Sequence, residues 1–95
     1  MAKLDRQNRF LIPHNLIASS NTDFLKELRL YVRQDDFYLD NPSLENRTVP
    51  SLGVVTLDSK CRLGFIKSIR EFLKLDQSTE ILCYLLDDKI TFRKA

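Results

Sequence analysis

Long apolar runs are missing from this sequence: none approaches the roughly 20 residues that a membrane span requires. The opening segment, Met1-Ala2-Lys3-Leu4-Asp5-Arg6, lacks the apolar stretch of a secretory signal, so the expected compartment is the cytoplasm. Cysteine is scarce. Cys61 and Cys83 are too far apart for a CxxC motif and too few for a disulfide framework, and both read as free thiols in a reducing compartment. His14 is the only histidine and no other ligand type gathers around it, so it reads as a surface helix residue and no metal is expected. No nucleophile elbow, P-loop or HExxH motif is present, so no catalytic residue, no enzyme activity and no cofactor are expected. The net charge of +2 excludes a uniformly basic nucleic-acid binder.

What the 95 residues do contain is a duplication. Residues 3–40 and 56–93 align without a gap at a constant offset of 53. The identities are Leu4/Leu57, Asp5/Asp58, Arg9/Arg62, Asp23/Asp76, Glu27/Glu80, Tyr31/Tyr84 and Asp35/Asp88. Apolar pairs such as Phe10/Leu63, Leu16/Ile69, Leu28/Ile81, Phe37/Ile90 and Leu39/Phe92 fill the intervals. The chain reads as a single domain over residues 1–95. Repeat one covers 3–40 and repeat two covers 54–94. The segment 41–53, with Pro42, Pro50 and Gly53, reads as the linker.

Each repeat has the same local pattern. Leu28, Leu30 and Val32 alternate with Arg29, Tyr31 and Arg33, the period of a half-buried strand. Gln34-Asp35-Asp36 then turns the chain into a second strand at Phe37-Tyr38-Leu39. In repeat two Ile81, Cys83 and Leu85 share one face, and Asp87-Asp88 turns into Lys89–Phe92. These aspartates are turn residues before they are acid–base pairs. Ile66, Ile69 and Leu73 lie at i, i+3 and i+7, one face of a short helix. In repeat one, Pro13 suits the first helical turn and Ser19-Ser20-Asn21 ends the helix. Short extended segments precede each helix, at Lys3–Leu4 and Phe10–Ile12, and at Val54–Leu57 and Leu63–Phe65. The expected unit is therefore strand, strand, short helix, strand, strand. A lone unit of this size buries too little apolar surface to be stable, whereas two intertwined units bury enough.

The stretches Asp5-Arg6-Gln7-Asn8-Arg9 and Asp58-Ser59-Lys60-Cys61-Arg62 share the pattern Asp-x-x-x-Arg, each followed by apolar residues and the short helix. With the run Val55–Glu71 and the ending Glu80–Lys94, they resemble the AbrB/SpoVT swapped-hairpin family. Two such units in one chain are similar to MraZ proteins. The resemblance implies a mainly β swapped-hairpin (double-split) β-barrel from two internal repeats, and a bacterial transcription regulator that binds double-stranded DNA in the nucleoid. The family places Gly before the motif Arg; here Asn8 and Cys61 stand there, and Asn accepts a left-handed backbone more readily than Cys.

Arg9 and Arg62 are the foremost DNA-binding candidates, because a guanidinium grips phosphate or guanine through two nitrogens. The competing role is an ion pair with Asp5 or Asp58 that orders the turn. Arg70 matches a basic helix position of the family. Lys60, Lys67 and Lys74 offer phosphate contacts from repeat two, and Arg6 and Lys3 extend the surface from repeat one. Residues 54–75 carry Lys60, Arg62, Lys67, Arg70 and Lys74 against Asp58 and Glu71, whereas residues 1–41 are balanced, so repeat two is expected to dominate the electrostatics. Leu82 and Leu86 replace Arg29 and Arg33 on the outer face of the third strand, so a cover is expected there, either a helix of the same chain or, the preferred reading, a homo-oligomer contact. Two alternatives stand beside the regulator: a protein-interaction barrel that has lost DNA binding, and an antitoxin. The second is disfavoured by an ending at Lys94-Ala95, directly after the last strand.

Overall fold

The computed structural model describes residues 2–95. Its elements in chain order are β1 (Arg9–Leu11), α1 (His14–Ser19), β2 (Leu28–Arg33), β3 (Asp36–Asp40), β4 (Ser51–Leu57), β5 (Arg62–Gly64), α2 (Lys67–Leu73), β6 (Ile81–Leu86) and β7 (Lys89–Lys94). Among the described residues the seven strands form one antiparallel sheet, ordered β1-β5-β4-β2-β3-β7-β6, which curls into a half-barrel. None of its helices is long and apolar enough to cross a membrane.

The pairing is interleaved. β2 bonds β3 in a hairpin, and on its other side bonds β4 from the second half of the chain, Leu28 facing Val55. At the equivalent positions, 53 residues after Leu28 and 53 before Val55, a bridge joins Ile81 at the start of β6 to Ala2, with N–O distances of 3.1 and 2.8 Å. Phe10 faces Leu63 across β1 and β5, and Tyr38 faces Thr91 across β3 and β7; the members of each pair are 53 residues apart.

Alternation sends Phe10, Leu30, Phe37, Leu39, Leu63, Ile81, Ile90 and Phe92 inward, where each is almost fully buried. Phe37, Phe65 and Phe10 surround Phe92 at ring-centroid distances of 5.3, 6.2 and 5.5 Å. Two of these rings come from each half of the chain. The halves therefore share one core, and it closes only when both contribute.

Four local expectations shift. Asp36 is not a turn residue: the turn is Gln34-Asp35, and Asp36 starts β3 with its side chain buried. Lys3–Leu4 is not a strand: among the described residues of this segment Ala2 alone makes a bridge, and Leu4 is buried. Ile66 does not face the core. It precedes α2 in extended backbone and is 55% exposed, and Phe65 fills the interior instead, while Ile69 packs as expected. β4 starts at Ser51, inside the segment read as linker, because the Val32 amide donates to Pro50 and Tyr31 pairs with Ser51. The connection that remains, 41–50, folds against the sheet. The buried Asn46 side chain donates to the Asn41 carbonyl at 2.8 Å and to the Asp40 carboxylate at 3.2 Å.

Candidate nucleic-acid interface

The two Asp-x-x-x-Arg segments form one kind of turn. Asp5 Oδ1 accepts the amides of Gln7 (2.8 Å) and Arg9 (2.9 Å), and its Oδ2 accepts Arg9 Nε at 3.0 Å. Asp58 repeats the set with Lys60, Arg62 and Arg62 Nε at 2.9, 2.9 and 2.7 Å. The chain reverses through left-handed residues, Asn8 at φ 59° and Cys61 at φ 62°. Amide donation to each carboxylate, chiefly from the Arg9 and Arg62 backbones, holds both carboxyls below their ordinary range.

This geometry decides part of the role of Arg9 and Arg62. Each spends its Nε on its own turn, and Arg9 Nη1 also lies 3.8 Å from Asp58 Oδ2. The four charges cancel at close range. The turn-ordering role is therefore occupied, and a phosphate would meet only the outward Nη groups.

Each turn docks on the other half of the chain. Phe65 N donates to Asn8 O at 3.1 Å, which seats the first turn at the start of α2. Ile12 N donates to Cys61 O at 2.9 Å, which seats the second turn at the start of α1. Arg70 lies beside Asn8, Asp76 and Gln77 along a shallow groove, with Nη1 donating to the Phe65 carbonyl, and Gln77 Nε2 donates to the Arg6 carbonyl at 3.0 Å. The structure thus brings the first turn, which carries Arg6 and Arg9, up to Arg70, and Lys67 and Lys74 line a neighbouring groove with Arg70, Glu71 and Asp76. Lys60 belongs to the other turn, beside α1, where Cys61 Sγ lies 3.7 Å from His14 Nδ1. The basic residues of repeat two are divided between two places, which the linear charge count does not reveal. Gln77 and the His14–Cys61 contact carry no motif in the sequence, since both arise from docking between halves.

Ion pairing separates the remaining cations. Lys67 pairs with Glu71 at 3.8 Å, across two exposed side chains. Among the described residues, Lys3, Arg6, Lys60, Arg70 and Lys74 have no carboxylate within 4 Å, and outside the turns and α2 the same holds only for Arg47 and Lys94. Of the acids without an ion pair, Asp35 and Asp88 sit in the β2–β3 and β6–β7 hairpin turns, whereas Asp76 lies in the groove beside Arg70.

No family model, no curated protein and no solved structure matches this chain.

Cys61 offers a direct test of the turn. A side chain in the left-handed region costs about 1–2 kcal/mol, partly offset by the extra freedom that glycine has in the unfolded chain. Cys61→Gly is expected to stabilise the protein by about 0.5–1 kcal/mol, and Asn8→Gly to change it by only a few tenths. Urea denaturation measures both. A destabilised Cys61→Gly would show that the contact with His14 outweighs the backbone strain. The other thiol, Cys83, packs against the core, and burial pushes its pKa up to about 12, which makes it a poor nucleophile.

Proposed function

We infer that this chain is a DNA-binding transcriptional regulator of the AbrB/MraZ-like type, acting without catalysis in the bacterial cytoplasm. In this reading the half-barrel is a swapped-hairpin barrel built from two repeats within one chain. The interleaved pairing at an offset of 53 supports it, because the Leu28–Val55 contact of β2 with β4 has its counterpart in the Ile81–Ala2 bridge. The observation that carries the functional reading is that Lys3, Arg6, Lys60, Arg70 and Lys74, on or next to the two turns and α2, have no carboxylate within 4 Å. Such cations release condensed counterions when they meet phosphates, so they supply affinity with a characteristic salt dependence. Arg9 and Arg62 hold the turns that display them and offer their Nη groups; Asp5 and Asp58 orient both. Lys67 adds a contact when it leaves Glu71.

Fluorescence anisotropy with random-sequence duplex DNA, at about 50 and about 200 mM salt, tests the reading. Binding that weakens steeply between the two supports it and justifies selection for an operator. No binding at micromolar protein in low salt rejects it.

A second reading is an interaction barrel without DNA binding. It is favoured by the cancellation of Arg9 and Arg62 by Asp5 and Asp58, and by exposed Leu82 and Leu86 on β6. In that case a protein, including another copy of the chain, would cover the Leu82/Leu86 face, and substitution of both leucines by lysine would abolish association.

A further inference from the structure

The halves meet at β1–β5, at β2–β4 and at a third seam, where β3 meets β7. Its register, Phe37 opposite Phe92 and Tyr38 opposite Thr91, sets Asp36 opposite Arg93 and Asp40 opposite Lys89. Both pairs are made. Arg93 Nε donates to Asp36 Oδ1 at 2.6 Å, and Lys89 Nζ donates to Asp40 Oδ1 at 2.7 Å. The acids are well covered, with side-chain exposures of 7% for Asp36 and 15% for Asp40. Tyr84 adds a hydrogen bond to Asp36 Oδ2 at 2.9 Å.

Asp36 and Lys89 occupy the same place in the two halves, 53 residues apart, and so do Asp40 and Arg93. Both acids of the seam therefore belong to the first half, and both bases to the second. If two first halves met in the same register, Asp36 would face Asp40. If two second halves met, Lys89 would face Arg93. Like charges directly opposite across a pair of strands are repulsive, and a covered charge without its partner is more costly still. Two ion pairs between the halves run the other way: Arg33 Nη1 with Asp87 at 3.4 Å, where the Asp87 side chain is 78% exposed and the pair correspondingly weak, and Arg9 Nη1 with Asp58 at 3.8 Å, away from the β3–β7 seam.

We propose that this seam is a heterotypic recognition surface: the first half accepts only a second half, and a second copy of the chain joins by reciprocal exchange of halves, never by pairing like with like. The connection permits exchange. Residues 41–50, fully extended, reach about 33–36 Å, and the longest dimension of the molecule is 35 Å.

Two complementary variants test this in the full chain. Asp36→Lys/Asp40→Lys places bases on both sides of the seam, and Lys89→Asp/Arg93→Asp places acids on both sides. Each alone is expected to melt at least about 15 °C below the wild type. Unfolded together at equal amounts and refolded, the two are expected to give a 1:1 heterodimer of twice the 11.1 kDa chain mass, with most of the lost melting temperature regained. All four substitutions in one chain should restore a stable monomer, which separates charge matching from damage to the sheet. The proposal is overturned if either double variant alone melts within about 3 °C of the wild type. It is equally overturned if co-refolding yields no heterodimer, or if the fourfold variant is no more stable than the doubles.

Discussion

Phe92→Ala is expected to lower the melting temperature by at least about 12 °C. The side chain is fully buried on β7, and it touches Phe10, Phe37 and Phe65. Removing a buried phenylalanine costs about 3–5 kcal/mol, the lost transfer energy plus the cavity that remains. In a domain of this size each kcal/mol moves the melting temperature by about 4–8 °C. The effect is large here because the ring sits at the junction of both halves and no neighbouring element is free to collapse into the void. Phe72 on α2 provides the control, since it is 65% exposed and its replacement by alanine should change stability by no more than about 0.5 kcal/mol. Thermal melts followed by circular dichroism compare the two. A Phe92→Ala protein that melts within about 5 °C of the wild type would show that the shared aromatic cluster does not hold the halves together.

The second large effect concerns DNA. Lys3, Arg6, Lys60 and Lys74 take part in no ion pair, so replacing all four with glutamine should leave the melting temperature almost unchanged. Duplex binding should nevertheless fall by more than about 1000-fold at low salt, and the slope of log affinity against log salt should flatten by about 3–4. Arg9→Ala/Arg62→Ala should behave differently. It also disrupts the turns that Asp5 and Asp58 organise, so its loss of binding should come with a loss of stability. Anisotropy titrations at several salt concentrations, paired with melts, resolve the two classes. An unchanged salt slope in the fourfold glutamine variant would remove these side chains from any DNA surface.

Much of the local architecture was legible in the residues themselves. The alternation in Leu28–Arg33 and Ile81–Leu86 marked β2 and β6, and the polar cluster after Ser19 marked the end of α1. Ile66 misled because helical spacing specifies a face but not the residue at which the helix begins. The extended backbone at Ile66 places it before the first turn, and Phe65 takes the interior position. Nor does a linear count of charge reveal neighbours. Lys60 and Lys67 are seven residues apart in a basic stretch, yet the first lies in the turn docked against α1 and the second lies on α2, whose start receives the other turn. The seam was likewise hidden, although its residues were in plain view. Asp36, Asp40, Lys89 and Arg93 acquire meaning only once the register sets β3 against β7.

β6 is the last strand in the sheet order, paired with β7 on one side and bridged on the other, among the described residues, at Ile81 by Ala2. Along the rest of that edge the main chain of β6 lies open among the described residues, on the same strand that exposes Leu82 and Leu86. Its amides should exchange with solvent faster than those of β2, which is paired on both sides. An open edge of this kind is also a template for one more strand.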